Sequence, residues 1–375
     1  MMRCIFYLPY ELEAHGRSAR MLRPRKMIQA FKDIGYEVCV IAGFSTERRK
    51  LIKKVKRDIQ AGIKYDFMYT ESHTEPTLLT DPHHLPTHPF LDFDFFKFIA
   101  NNGIKIGLFY CDIYWKFSTY GMELPMWKRM GALVSYRYDI REYKKYLTRL
   151  YVADLKVCDY LQEPKLTRIA QELPPGAEDI IVSTRKYSKR DFVKDPLKIF
   201  YVGGIGKQYQ IIELVKAVYK TPNCDLTVCC RESEWAQEKN NFKLYMCEKI
   251  HVIHKSSDEL SENYNSADVC SLLFKQDRYR EMAKPFKAYE YLANEIPMLS
   301  TKGTAIGDFI EKENIGWNIR FEANAIAETL EYIIEHSDEL EMKRRYCMEA
   351  KKRNLWKRRA LQVVNGLSQN VKYSN

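Results

Sequence analysis

Three stretches in the C-terminal half bring together residues suited to binding an anion. The first is Ile199-Phe200-Tyr201-Val202-Gly203-Gly204-Ile205-Gly206-Lys207. An apolar, strand-forming run passes into three glycines and a lysine, and helical periodicity resumes behind them. Residues without a Cβ let backbone N–H groups approach a phosphate closely, and the positive end of the following helix favours one. The spacing is neither the GxGxxG dinucleotide fingerprint nor the GxxxxGK phosphate loop. Glycine is scarce in this chain, 16 of 375 residues against a usual ~7%, so a cluster of it stands out.

The second stretch is Lys284-Pro285-Phe286-Lys287-Ala288-Tyr289-Glu290-Tyr291-Leu292. Pro285 suits the opening of a helix. On that helix Lys287 and Glu290 are three apart and therefore neighbours. The carboxylate can accept from two vicinal sugar hydroxyls while the lysine faces a phosphate, or the two can form a surface ion pair. The third stretch, Thr301-Lys302-Gly303-Thr304-Ala305-Ile306-Gly307, is another glycine-bearing turn from strand to helix, with a hydroxyl and exposed N–H groups.

The N-terminal half offers less. Asp112 stands at the carboxyl edge of the buried run Gly107–Tyr110, where the ligands of open α/β sheets bind; it can face a ligand or cap a turn. Residues 71–94 hold Pro76, Pro82, Pro86 and Pro89 together with His83, His84, His88, Asp92 and Asp94. These are suitable metal-ligand types, but no i,i+4 spacing holds them, so the expectation is a loop lining the binding cleft and no bound metal. No Ser-His-Asp order or GxSxG elbow supports hydrolase chemistry.

The elements that must position these groups alternate. Strands are expected at Cys4–Leu8, Glu37–Ala42, Lys105–Tyr110 and Ala153–Asp159, and helices at Pro24–Gly35 and Arg141–Leu150. Beyond the turn Leu173-Pro174-Pro175-Gly176 the rhythm restarts. Strands are expected at Lys198–Val202, Asp225–Cys230, Ile250–Ile253, Val269–Phe274 and Met298–Thr301. The helices between them are Tyr209–Tyr219, Glu259–Asn265, Pro285–Ala293 and Ala305–Glu311. This is an α/β chain of two doubly wound, Rossmann-like domains facing a cleft. The expected bounds are 1–180 and 196–345, with a helix over about 355–375 returning to the first domain.

The order of these stretches resembles the donor half of a GT-B glycosyltransferase of the family 4 type (glycosyltransferase group 1). Residues 16–41 and Leu173-Pro174-Pro175-Gly176-Ala177-Glu178-Asp179 resemble elements of the acceptor half of the same family, so the likeness spans roughly residues 3–320. The resemblance implies transfer of a sugar from a nucleotide-diphosphate sugar to a growing, lipid-linked glycan, with retention of configuration and no metal or cofactor. Gly203 and Gly204 would approach the diphosphate or sugar, and Lys207 would neutralise the diphosphate and act with Asp112 in catalysis. Glu290 would hold the ribose, while Gly303, Thr304 and Ala305 would meet phosphate. His254 and Lys255 fall where the nucleobase packs. Arg20, His84 and His88 would line the acceptor side. The family often carries an arginine ahead of its lysine in the glycine loop. This chain has none there, leaving Arg231 or Lys284 to supply the charge, with Lys287 a further donor-binding residue. Glu281 and Glu290 are separated by eight residues, where the family has seven.

Composition sets the outer bounds. A hydrophobic fraction of 46% excludes a disordered chain. The formal net charge of +11 calls for an anionic partner. Seven cations in residues 48–57 form a basic amphipathic helix, with Leu51, Val55 and Ile59 on one face, that suits either an anionic membrane or its own sheet. Nine more cations lie in 343–359, where packing and solvation are expected. No run reaches the ~18 apolar residues of a membrane span, and the N-terminus lacks a signal-peptide pattern. Ten cysteines without a CxxC pair suit a reducing compartment, so the expected place is the cytoplasm, at the inner face of the membrane. A nucleotide-sugar epimerase on the same fold is the alternative. A nucleic-acid binder lacks every recognition motif.

Overall fold

The computed structural model describes residues 1–13, 19–182, 190–206, 209–256 and 259–368. It divides into two compact units, Met1–Pro175 with Trp356–Asn375, and Gly176–Leu355.

In the first unit, β1 (Arg3–Tyr7), α1 (Ala19–Asp33), β2 (Glu37–Ile41), α2 (Ser45–Gln60), β3 (Phe67–Glu71), α3 (Leu91–Asn101), β4 (Lys105–Phe109), α4 (Met126–Tyr146), β5 (Arg149–Val152), α5 (Lys156–Leu161), α6 (Pro164–Thr167) and β6 (Ala170–Glu172) follow one another. The strands form one parallel sheet in the order β2-β1-β3-β4-β5-β6. Short strands buried on both faces explain the continuous apolar runs of the sequence. Phe31 of α1 packs between Phe6, Phe67 and Tyr69, with ring centroids 5.5–6.3 Å apart.

The second unit holds β7 (Leu197–Val202), α7 (Ile212–Lys220), β8 (Cys224–Cys229), α8 (Glu232–Phe242), β9 (Ile250–Ile253), α9 (Ser261–Ser266), β10 (Val269–Leu272), α10 (Phe286–Ala293), β11 (Met298–Thr301), α11 (Ala305–Glu313), β12 (Gly316–Ile319), α12 (Ala323–Glu335) and α13 (Ser337–Arg353). Its parallel sheet runs β12-β11-β10-β7-β8-β9, the strand order of dinucleotide-binding domains. Alternate residues feed two cores. Ile199, Tyr201, Val269 and Leu299 enter one, while Phe200, Cys270 and Met298 enter the other. The last helix, α14 (Trp356–Leu367), belongs to the first unit, where it packs on α1. Leu367 covers Gly107 so closely that a Cβ there would lie 2.7 Å from a leucine methyl.

Several expectations shift. The helix expected at Arg141–Leu150 is the end of the longer α4, and Arg149–Val152 is a strand. The strand expected at Ala153–Asp159 is a turn and α5, because the Asp154 carboxylate accepts the Lys156 N–H at 2.9 Å and starts a helix. The long loop ends early, since Asp92 and Asp94 sit in the first turn of α3. The helix expected from Pro24 starts at Ala19 and carries Pro24 inside it. Phe67–Glu71, Ala170–Glu172 and Gly316–Ile319 are additional strands.

Burial also divides the basic segments. Arg48 is 1% exposed. It donates to both carboxylate oxygens of Asp92 (3.0 and 3.3 Å) and to the carbonyls of Pro9 and Gly43 (2.8 Å each). The Tyr7 hydroxyl also donates to Asp92. Arg48 therefore ties the turns behind β1 and β2 together. Ile52 and Val55 of α2 are buried, so the apolar side of this helix is spent on its own unit. In 343–359, Arg344 pairs with Asp268 at 2.7 Å and Lys351 with Glu295 at 3.1 Å, both inside the protein, and Arg359 donates to the Pro175 carbonyl. Much of this charge is internal structure rather than solvated surface.

Candidate functional site

The switch point of the second sheet lies between β7 and β10, whose following helices leave on opposite faces. Three turns converge at its carboxyl edge. The turn behind β7 contains Gly203, Gly204 and Gly206. The Gly203 N–H donates to the Cys229 carbonyl at 3.0 Å, whereas the N–H groups of Gly204 and Gly206 have no partner among the described residues. Tyr201 donates its hydroxyl to the Gly204 carbonyl. A Cβ on Gly204 would lie 2.5 Å from the ring of Tyr209, so any larger residue there has to push that ring aside. Glu234 of α8 accepts the Ile205 N–H at 3.3 Å.

The turn behind β11 holds Gly303 at φ +78°, a left-handed conformation that suits glycine. The N–H groups of Gly303 and Thr304 also have no partner among the described residues. The Ala305 N–H is already committed to the Arg280 carbonyl at 3.2 Å. So is the Thr304 hydroxyl. Fully buried, it caps α11 by accepting from the Gly307 N–H at 3.0 Å while donating to the Thr301 carbonyl at 2.7 Å. Thr304 thus shapes the turn rather than offering its hydroxyl outward.

The segment behind β10 joins these two turns. Gln276 donates to the Gly303 carbonyl at 3.3 Å. The Arg280 guanidinium lies 4.7 Å from the ring centre of Phe274 and 5.7 Å from that of Tyr209, and pairs with Asp277. Arg280 is the cation at the switch point that the sequence motifs did not single out.

The remaining donor-side residues spread around this centre. Lys207 lies outside the described residues. Glu290 of α10 accepts from Lys287 at 2.6 Å and from the Tyr264 hydroxyl at 3.1 Å, so Lys287 and Glu290 form an ion pair. The buried Tyr291 holds α10 to the strand end by accepting the Val202 N–H at 3.3 Å. Lys284 is half-buried just ahead of α10. Arg231, at the start of α8, is exposed and its side chain has no partner among the described residues. Behind β9, His254 donates Nδ1–H to the Cys230 carbonyl at 2.9 Å, which leaves Nε2 as an acceptor, and Lys255 reaches Asn263 at 3.3 Å.

In the first unit, Asp112 is half-buried and accepts the Tyr114 N–H at 2.9 Å; burial, opposed by the N–H groups of Tyr114 and Ile113, raises its pKa to about 6. Arg20 approaches His73, at 2.6 Å from Nε2, and not His84 or His88. Burial and then the Arg20 charge lower the His73 pKa to about 4, so its imidazole is neutral. Tyr10 packs against the same ring at a tilt of 49°, with centroids 4.8 Å apart. Nearby, Glu71 at the end of β3 pairs with the buried Arg23 at 3.4 Å, and burial, opposed by Arg23, raises its pKa to about 7. His84 is exposed, near Glu75 and the Leu79 carbonyl, and His88 is half-buried. Sequence spacing gave no hint of His73, Glu71 or Arg23, which meet only because β1, β3 and α1 do. Among the described residues no three His, Cys, Asp or Glu side chains converge on a common point.

Residues 183–353 match the family model described as glycosyl transferases group 1. No curated protein matches the chain in sequence. Solved structures share its fold at low identity. Sucrose-phosphate synthase from Thermosynechococcus elongatus is 12% identical with a TM-score of 0.62, over 96% of this chain and 97% of that one. HepE from Anabaena, in complex with UDP, is 11% identical with a TM-score of 0.62, over 97% and 99%; it is also known with UDP-glucose. WaaG, a glycosyltransferase involved in lipopolysaccharide biosynthesis, is 14% identical with a TM-score of 0.55, over 98% and 100%.

Proposed function

Since the chain has the GT-B fold and its residues 183–353 match the family model of glycosyl transferases group 1, we propose that it takes a sugar from a nucleotide-diphosphate donor and transfers it to a growing, lipid-linked glycan in cell-surface polysaccharide synthesis. The observation that carries the donor assignment is the set of N–H groups of Gly204, Gly206, Gly303 and Thr304, without a partner among the described residues and gathered with Arg280 at one switch point. An anion with several oxygens satisfies such donors together. The complexes of HepE with UDP and UDP-glucose, and the lipopolysaccharide role of WaaG, support this choice of donor and product.

Departure of the nucleoside diphosphate concentrates negative charge on its phosphate oxygens. Preorganised N–H groups and a fixed guanidinium stabilise that charge without having to reorganise. In this proposal Arg280 takes the place of the arginine missing from the glycine loop. Glu290 accepts from the ribose hydroxyls by exchanging its bond to Lys287, and the free Nε2 of His254 faces the base. Asp112, Arg20, His84 and His88 serve the acceptor side. Transfer is retaining and needs no metal, and the enzyme works in the cytoplasm at the inner face of the membrane.

A donor-hydrolysis screen across nucleotide sugars, with product analysis, tests this. Release of nucleoside diphosphate from one donor, faster with glycan acceptor present, is the expected result. Conversion of a donor to its epimer without acceptor, or no turnover of any nucleotide sugar, overturns the proposal.

A further inference from the structure

Seven of the twenty exposed large apolar side chains among the described residues fall within residues 114–134: Tyr114, Met122, Leu124, Met126, Trp127, Met130 and Val134. Met126, Trp127 and Met122 are each about 70% exposed. Met126, Met130 and Val134 follow at i, i+4 and i+8, so they line one side of the first turns of α4, with Trp127 beside them. Contiguous apolar surface of this kind marks an interaction site rather than scattered exposure.

The charges around it choose the partner. Residues 114–146 contain Lys116, Lys128, Arg129, Arg137, Arg141, Lys144 and Lys145. The acids in the same stretch are Glu123, Asp139 and Glu142, and the last two are buried. Along α4 the outward side is apolar through Val134 and then continues with Arg137 and Arg141, both exposed. Met126 to Arg137 spans roughly 16 Å at ~1.5 Å per residue. An apolar end of that length followed by cations fits a helix whose first turns enter the acyl boundary while later turns meet anionic headgroups. Tryptophan and tyrosine suit that boundary, and unbranched methionines adapt to fluid chains. Two copies of this positively charged surface would repel each other, which argues against a second chain as the occupant.

The structure also separates this surface from the other basic segment. Ile52 and Val55 of α2 are buried in its own unit, so α2 presents a mainly cationic side without an exposed apolar patch. We propose that the segment 122–137, leading into and through the first half of α4, is the membrane-docking surface of the protein and that its partner is an anionic lipid bilayer. The lipid-linked acceptor of the proposed function makes such docking useful, but the inference rests on this surface and not on the sugar chemistry.

The test is flotation of the full-length protein with vesicles of phosphatidylcholine alone or with about one-third phosphatidylglycerol. The wild type is expected on the anionic vesicles. Met126→Ser with Trp127→Ser and Met130→Ser is expected to lower binding at least tenfold while leaving the melting temperature and donor hydrolysis unchanged. Lys50→Glu with Lys53→Glu and Lys54→Glu, on α2, is expected to lower it less. Unchanged binding by the α4 variant overturns the inference, as does greater loss from the α2 variant. So does light scattering that shows a wild-type dimer dissolved by the α4 substitutions without vesicle binding. Failure of donor hydrolysis alone bears on the proposed function and not on this surface.

Discussion

Replacing Arg280 probes the donor assignment most sharply, because its side chain and its backbone do separate jobs. Its carbonyl accepts the Ala305 N–H and survives any substitution, whereas the guanidinium lies over Phe274 and Tyr209 with only 11% of the side chain exposed. A hydrogen bond from a cation to a phosphate is worth about 1.5–3 kcal/mol, or roughly 10- to 150-fold in affinity. The bond to Asp277 already draws on that charge, so Arg280→Ala is expected at the lower end, about tenfold weaker for a nucleoside diphosphate. Arg280→Lys retains the charge but not the planar stack, and falls between the two. Asp277→Asn removes the competing carboxylate and is expected to tighten binding a few-fold. Calorimetric titration of the diphosphate, with melting temperatures as the folding control, reads all three. An Arg280→Ala variant that melts normally and binds within twofold of wild type refutes the reasoning. So does an Asp277→Asn variant that binds as weakly as Arg280→Ala.

Arg48→Ala leaves Asp92 buried without its cation and is expected to cost about 3–5 kcal/mol, lowering the melting temperature by ~6–20 °C; Arg48→Met with Asp92→Leu should recover most of that in thermal denaturation. Thr304→Ala removes the cap of α11 and is expected to cost about 1 kcal/mol, with Thr304→Ser restoring it in denaturant titrations. Burial raises the pKa of Asp139 to about 8 from an unfolded 3.8, so between these values the folded state holds a proton that the unfolded state releases. Its contribution to stability therefore falls as pH rises from about 4 to about 8, by at most about 1.4 kcal/mol per unit, and Asp139→Asn should flatten that slope in melting curves taken across the range.

The parts of the site that were legible in the sequence are local. A strand running into Gly203 and Gly204, a helix opened by Pro285, and a turn through Gly303 to the Thr304 cap each declare themselves within a few residues. Arg280 does not. It sits in an irregular segment, and its place beside the glycine turn depends on β10 pairing with β7, a long-range fact that no local spacing carries. Arg48 fails for the same reason. Among seven cations in ten residues it reads as surface charge, yet Asp92, forty-four positions away, turns it inward. The basic tail misleads similarly, since Arg344 and Lys351 find Asp268 and Glu295 across the fold. Thr304 was found, but composition alone could not tell an offered hydroxyl from a cap.

The central claim is a nucleoside-diphosphate site at the switch point of the second sheet. A thermal melt of the full chain with UDP, GDP and ADP, each beside its monophosphate, tests it directly. At a hundredfold excess over the dissociation constant a ligand adds about 2.7 kcal/mol of stability, which is several degrees in melting temperature. The prediction is that one diphosphate raises the melting temperature by that much, more than its monophosphate does. No rise with any of the three at millimolar concentration contradicts the account.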